Sequence, residues 1–374
     1  MKNNSNEPEV LISGYFGYDN CGDEAILFSM IKSLRRLHPG LEIVVLSGNP
    51  ERTQELYGVR AVSRWNPFVI IKEMFRCKLF ISGGGSLIQD VTSLRSAQYY
   101  LTLLWLAQFF RKKNMVFAQG IGPLSDEKTR YKMIRRFSKC NAIVLRDKDS
   151  ADFLKILGLK NSIHVGADTV MTLTTQDVGL DQGKSILTEI GILDSNYHKT
   201  KPLMIVCLRN WGDNSFVPEV AKLLDNQIKT GCDVLLVPSQ YPQDMDVISA
   251  VSNMMEERCS VFGKRLTAPE LMSLIANADK VLSIRLHGLV FGEAFGVPIT
   301  AISYDPKVRS FMEMCEMEEF MVPINSFNWF QLSEILDRQE AMTVADRLSQ
   351  DQKREEIRED AWTATEIAIN LLND

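Results

Sequence analysis

Arg285 and His287, two positions apart in residues 283–298 (SIRLHGLVFGEAFGVP), are the side chains of this chain best suited to chemistry on an anionic substrate. A guanidinium fork grips a carboxylate or phosphate through two hydrogen bonds, and an imidazole exchanges protons near neutral pH. Residues 279–284 before them are apolar and β-branched, as a buried parallel strand is. Residues 289–295 suit a helix and residues 297–303 a second strand, so Arg285, Leu286 and His287 fall in a strand-to-helix turn. Open α/β sheets bind ligands at such turns, where free N–H groups and the positive end of a helix dipole favour an anion. A solvated arginine beside a packed histidine is the plain alternative. The strand-end setting favours chemistry, because His38 ends a helix, His164 lies in a short strand and His198 in a linker.

The elements that position this turn repeat along the chain. Strand-like runs at residues 9–13, 41–46, 79–82, 115–118, 142–145 and 162–165 are separated by helical stretches. A second alternation runs through residues 203–208, 234–237, 260–262, 280–284 and 299–303. Strand, helix, strand repetition of this kind builds parallel sheets covered on both faces, here two consecutive Rossmann-like halves. The expected division is 1–175 for an N-terminal domain, 176–200 for a weakly periodic crossing, and 201–374 for a C-terminal domain closed by a charged helix over residues 345–372.

Other strand ends carry further candidates. After the first strand comes GYFGYDNCGDE, in which Gly17 allows a close backbone approach and Asn20 with Asp23 can cap the following helix. Gly84 and Gly85 follow the third strand, Gln119 the fourth and Arg146 with Asp147 the fifth. Arg209 and Ser239 end strands of the second half. Tight turns also select glycine, and Arg146–Asp147 also reads as a surface pair.

A chain of 374 residues suits two domains, and its net charge of -5 makes no case for nucleic acid. That figure hides an asymmetry. Residues 1–170 carry 24 Lys/Arg against 16 Asp/Glu, and the remainder 18 against 31. A basic first half suits an anionic partner such as a lipid diphosphate or a membrane surface, or simply well-solvated helices. The apolar run over residues 97–110 is too short and too polar to span a bilayer, yet Arg111, Lys112 and Lys113 behind it would suit contact with one. The polar start, residues 1–10, has no signal-peptide character. Seven cysteines without a Cys-x-x-Cys pair imply a reduced, cytosolic protein without structural zinc.

Several reaction classes are unsupported. No Gly-x-Gly-x-x-Gly or Gly-Lys-Ser/Thr loop is present, nor Gly-x-Ser-x-Gly, nor His-x-x-x-His spacing. Asp244 and Asp246 form an Asp-x-Asp but open a helix, so catalysis without a metal or other cofactor is expected.

Taken in order, GYFGYDNCGDE, GGGSL at 83–87, QGIGP at 119–123, Arg146–Asp147, Arg285-Leu286-His287 and SYDPK at 303–307 resemble the polysaccharide pyruvyltransferases, and closely the CsaB type. The resemblance spans residues 11–307. It implies two Rossmann-like domains facing a cleft, as in GT-B glycosyltransferases, and transfer of a pyruvyl group from phosphoenolpyruvate to a sugar as a 4,6-linked ketal. For the CsaB type it implies an N-acetylmannosamine acceptor in a lipid-linked precursor of a secondary cell-wall polymer, which S-layer homology domains recognise once pyruvylated. On this reading Arg285, Leu286, His287, Arg146 and Lys307 bind the donor, and His287 with Arg285 serves catalysis. The C-terminal half would take phosphoenolpyruvate and the N-terminal half the acceptor, with the enzyme cytoplasmic and touching the membrane's inner face. A GT-B nucleotide-sugar glycosyltransferase or epimerase is the competing reading, carried by Glu293 and the turn Gly296-Val297-Pro298. A non-catalytic binder of anionic glycans is a third.

Overall fold

A computed structural model describes residues 9–90 and 94–374; the polar start up to residue 8 lies outside them. The chain forms two compact units. One comprises the chain up to Tyr18, Asp23–Thr172 and Arg358–Asp374; the other comprises Asp19–Gly22 and Leu173–Ile357.

In the first unit the elements are β1 (Val10–Ser13), α1 (Cys21–Leu37), β2 (Ile43–Ser47), α2 (Pro50–Tyr57), β3 (Arg60–Ser63), α3 (Pro67–Arg76) and β4 (Leu79–Ser82). They continue with β5 (Gly85–Ile88), α4 (Leu94–Phe109), β6 (Lys113–Ile121), α5 (Glu127–Phe137), β7 (Ala142–Leu145), α6 (Lys148–Ile156) and β8 (His164–Val165). The sheet order is β3-β2-β1-β4-β6-β7-β8, with β5 also paired to β6, and every pairing is parallel. Strands buried on both faces read as apolar runs, and β1 (VLIS), β2 (IVVLS) and β4 (LFIS) are wholly buried. Leu11, Val44, Leu46, Phe80 and Val116 point to one face, where Ile70, Tyr100, Leu104, Met133 and Leu154 of α3 to α6 meet them.

The second unit holds α7 (Thr175–Val178), α8 (Asp181–Glu189), β9 (Leu203–Cys207), α9 (Val217–Lys229), β10 (Asp233–Leu236), α10 (Met245–Met254), β11 (Ser260–Val261) and α11 (Ala268–Ala276). Then follow β12 (Lys280–Ser283), α12 (Leu286–Ala294), β13 (Ile299–Ser303), α13 (Pro306–Met314), β14 (Met321–Pro323), α14 (Trp329–Glu340) and α15 (Val344–Asn373). Its parallel sheet has the order β11-β10-β9-β12-β13-β14, the 3-2-1-4-5-6 order of a Rossmann fold. The order reverses between β9 and β12. A ligand of such a sheet is expected beyond the carboxyl ends of those two strands.

Two boundaries differ from expectation. Residues 176–200, read as a crossing, belong to the second unit and include α8, whose Gly183 N–H donates to Ser273 Oγ of α11 at 2.8 Å. The closing helix α15 belongs to the second unit up to Ile357 and to the first from Arg358, where Thr365 Oγ1 meets Ser33 Oγ of α1 at 3.0 Å. Weak periodicity hid a short helix, and a continuous helical pattern carries no mark of a change of unit.

Candidate functional site

Strand register brings the candidates of the second unit into one row. Ser283 of β12 lies opposite Cys207 of β9, and Val206 opposite Leu236 of β10. Two residues beyond Ser283 is Arg285, and two beyond Cys207 is Arg209. Ser239 follows the end of β10 by three residues. The point where the strand order reverses is therefore flanked by two arginines.

Arg285 occupies the N-cap of α12 with an extended backbone, and Ser283 Oγ donates to its carbonyl at 2.6 Å. Its Nη2 donates to Asp244 Oδ1 and, at 3.4 Å, to Gln240 Oε1. Asp244 is 1% exposed, and its second oxygen accepts the backbone N–H of Ser239 (3.1 Å) and of Gln240 (2.8 Å). A carboxylate held by two main-chain donors is a fixed post, and it fixes the guanidinium it faces. Asp244 was legible only as a helix opener; in the structure it positions Arg285. The Arg285 Nε is buried without a hydrogen-bond partner.

Arg209 differs in what surrounds it. Its Nη1 donates to the Tyr304 hydroxyl at 2.6 Å, and its guanidinium lies 4.5 Å from the Tyr304 ring centre and 5.8 Å from that of Trp211. Among the described residues no carboxylate lies within ion-pair distance of it. Aromatic faces attract a cation without cancelling its charge, so Arg209 keeps its positive charge. Lys307, in the first turn of α13, pairs with Asp305 at 3.3 Å and stays about one-third exposed. Leu286 is buried, so any role it has in binding falls to its backbone at the start of α12.

His287 sits in the first turn of α12, with its ring centre 5.9 Å from that of Phe291. Gly22 also lies against it, where a Cβ would come 2.1 Å from His287 Nδ1. Residues around Gly22 are tied to the same unit. Cys21 N–H donates to Ser239 O at 3.0 Å, Asn20 bridges Gln240, and Asp19 lies 2.9 Å from Arg265. Asn20 also accepts the Gly22 N–H at 3.1 Å, the capping role its sequence position suggested. The glycine after Asn-Cys is thus needed for the imidazole beside it. Cys207, beneath this row, is fully buried, and burial pushes its thiol up to about 12, which removes it as a nucleophile.

Strand ends of the first unit are built differently. Arg146, 7% exposed, lies between Asp168 (3.4 Å) and Asp147 (3.5 Å) and donates to Ser86 Oγ at 3.2 Å. Gln119 is fully buried, and its amide donates to Ser82 O, Ser82 Oγ and Gly83 O within 3.0 Å, latching the end of β4. Gly17 has φ +81°, and a Cβ there would strike Ser47 Oγ; Gly85 has φ +84° and faces Asp23. A Cβ on Gly84 would meet Ile26 at 2.8 Å. All four residues GGGS are expected in a strand-end loop, but Gly85 and Ser86 begin β5.

Residues 20–306 match the family model for polysaccharide pyruvyl transferase. The chain belongs to that family. It is therefore a pyruvyltransferase with a saccharide acceptor. A search of curated proteins finds no significant match. Solved structures share the fold at low identity. A MnaA–UDP complex from S. aureus has TM-score 0.62 and 11% identity, covering 97% of this chain and 95% of that one. A glycosyltransferase from Rickettsia africae has TM-score 0.61 and 12% identity, covering 99% and 100%. UDP-GlcNAc 2-epimerase from Neisseria meningitidis bound to UDP-GlcNAc has TM-score 0.59 and 10% identity, covering 97% and 99%. The pyruvyltransferase thus has a GT-B-like fold of two Rossmann-like units. Glu293, which carried the nucleotide-sugar reading, is 1% exposed and meets Arg354 Nε of α15 at 3.2 Å, a structural position for that carboxylate.

Proposed function

We propose that this pyruvyltransferase moves the pyruvyl group of phosphoenolpyruvate onto two hydroxyls of a saccharide as a 4,6-ketal, releasing phosphate and using no other cofactor. The observation that carries the reading is the row Arg209–Arg285 beside His287. The donor bears both a carboxylate and a phosphate, and two guanidiniums in register, one held by Asp244 and one by Tyr304, suit those two anions. Lys307 at the next strand end is a third cation for the same donor.

The atoms balance simply. Protonation of carbon 3 leaves an oxocarbenium-like centre at carbon 2, which one hydroxyl attacks. Loss of phosphate regenerates such a centre, and the second hydroxyl closes the ring. Of the two hydroxyl protons, one ends on the new methyl group and the other leaves with phosphate. His287 is the group assigned to these transfers, a role that typically contributes about 10²–10⁴-fold in rate.

The acceptor proposed is an N-acetylmannosamine residue of a lipid-linked secondary cell-wall polymer precursor, as in the CsaB type, whose pyruvylated product would anchor S-layer proteins. Such an acceptor places the enzyme in the cytoplasm at the membrane's inner face. The first unit, with its basic helices, is assigned to the acceptor and the second to the donor. The deciding experiment follows phosphate release from phosphoenolpyruvate with and without a synthetic lipid-diphosphate disaccharide ending in N-acetylmannosamine, together with the acceptor's mass. Acceptor-dependent release and a gain of one pyruvyl ketal are expected. Turnover with other saccharides alone would overturn the acceptor, and absence of phosphate release with every acceptor would overturn the donor.

A further inference from the structure

Helices α3 and α4 of the first unit are apolar on both sides. Their inner faces fill the core through Ile70, Met74, Ala97, Leu101 and Leu104. Their outer faces carry Phe68 (82% exposed), Ile71 and Phe75 (65%) on α3, and Trp105 and Phe109 (64%) on α4. A helix that only faces water has a polar outer side, and contiguous exposed aromatic surface marks a binding face. Ring contacts join Trp105, Phe109, Phe110 and Phe75 into one patch, with Trp65 and Tyr99 as a separate pair. Trp65 lies 6.0 Å from Tyr99, Trp105 lies 5.6 Å from Phe109, and Phe110 touches both Phe109 (5.3 Å) and Phe75 (5.9 Å).

Charge identifies what covers it. Residues 67–137, which include α3, α4 and α5, hold 12 Lys/Arg against 4 Asp/Glu, an excess of eight that equals the whole excess of residues 1–170. Lys112 lies 5.4 Å from the centre of the Phe75 ring, and Lys72 and Arg111 neighbour the aromatics in sequence. Among the described residues none of these three has a carboxylate within ion-pair distance. Aromatic side chains rimmed by unpaired cations suit the interface of an anionic bilayer, where rings sit at headgroup depth and cations meet lipid phosphates. Among the described residues no helix is long and apolar enough to cross a membrane, so the contact lies in the membrane plane.

We propose that the outer face of α3 and α4 docks the protein on a bilayer rich in anionic lipid. This deepens the proposed reading of a lipid-linked acceptor, but its test needs no turnover, so each can fail without the other. The full-length protein is sedimented with vesicles of phosphatidylcholine alone or with about one-third phosphatidylglycerol, at low and high salt. Binding to the anionic vesicles at least tenfold above the neutral ones, weakened by salt, is expected. Phe68→Ser, Phe75→Ser and Phe109→Ser together should cut binding at least tenfold with the far-ultraviolet spectrum unchanged. The independent set Lys72→Glu, Arg111→Glu and Lys112→Glu should do the same, and it decides the matter if the aromatic set misfolds. Equal binding to neutral vesicles, no binding, or a wild-type dimer that either set converts to monomer without loss of vesicle binding would overturn the proposal.

Discussion

Arg285 and Arg146 both stand between the end of a parallel strand and the start of a helix, yet their surroundings differ. Arg285 faces one buried carboxylate, and Arg209, after the neighbouring strand, faces none among the described residues. Arg146 is met by two carboxylates, Asp147 and Asp168, at nearly equal distance. Topology supplies the place, whereas the local balance of charge decides its use. At the strand ends of the second unit positive charge is left over. In the first it is neutralised from within, and Gln119 and the glycines hold strand ends in shape.

The largest expected effects come from removing the groups of the second unit. Arg285→Ala should lower kcat/KM by about 10²–10³-fold, mostly through a higher KM for phosphoenolpyruvate, because a preorganised cation is lost. His287→Ala should lower kcat by about 10²–10⁴-fold and leave donor binding nearly unchanged. Full activity in His287→Ala, with donor affinity intact, would end its assignment to proton transfer.

Arg146→Ala sharpens the contrast from the other side. It removes the guanidinium that Asp168, 3% exposed, and Asp147 both face. Removing one partner of a buried pair typically costs about 3–5 kcal/mol. Urea unfolding should show that loss, while the KM for phosphoenolpyruvate in the surviving folded protein barely changes. A raised KM with unchanged stability would instead make Arg146 a donor ligand, the role its motif suggested, and the contrast would collapse.

Much of this was legible in the residues. Alternation located most of the strands of both sheets because parallel strands buried on both faces must be apolar throughout. The strands it missed are β3 (RAVS), partly exposed at an edge, β5 (GSLI), which opens on glycine, and β14 (MVP), only three residues long. Arg285 and His287 were visible because their residue types and turn position agree. Asp244 was not, since its carboxylate meets a guanidinium 41 residues further on, and nothing local to it records that. Gly22 was visible only as part of a motif; the imidazole 265 positions later explains it.

That contact gives the next prediction. In Gly22→Ala the new methyl group cannot share space with His287 Nδ1, 2.1 Å away, so the ring must shift. A displacement of about 1 Å in a catalytic group can cost about 10²-fold. A fall in kcat of about 10–100-fold is expected, with donor KM changed far less. Unchanged kcat would mean that the imidazole's position does not matter to the reaction.

The smallest effect concerns a buried carboxylate of the first unit. Glu24 is 6% exposed; one carboxylate oxygen accepts the Gly17 N–H at 2.6 Å and the other the Tyr57 hydroxyl at 2.8 Å. Burial pushes its carboxyl above the ordinary range, against the lowering effect of those two bonds. The folded state therefore holds this proton to higher pH than the unfolded chain does. Stability from that difference is fully present below the unfolded pKa of about 4.3 and is lost as pH rises through the folded value. Glu24→Gln keeps an acceptor for Gly17 and a polar partner for Tyr57 but does not titrate. Relative to the parent, the variant should gain stability between pH 4 and pH 7, measured as the difference in urea midpoints at constant slope. A difference that stays flat over that range, or that falls as pH rises, would mean that the two hydrogen bonds outweigh burial and that the carboxylate is at ease in its ionised form.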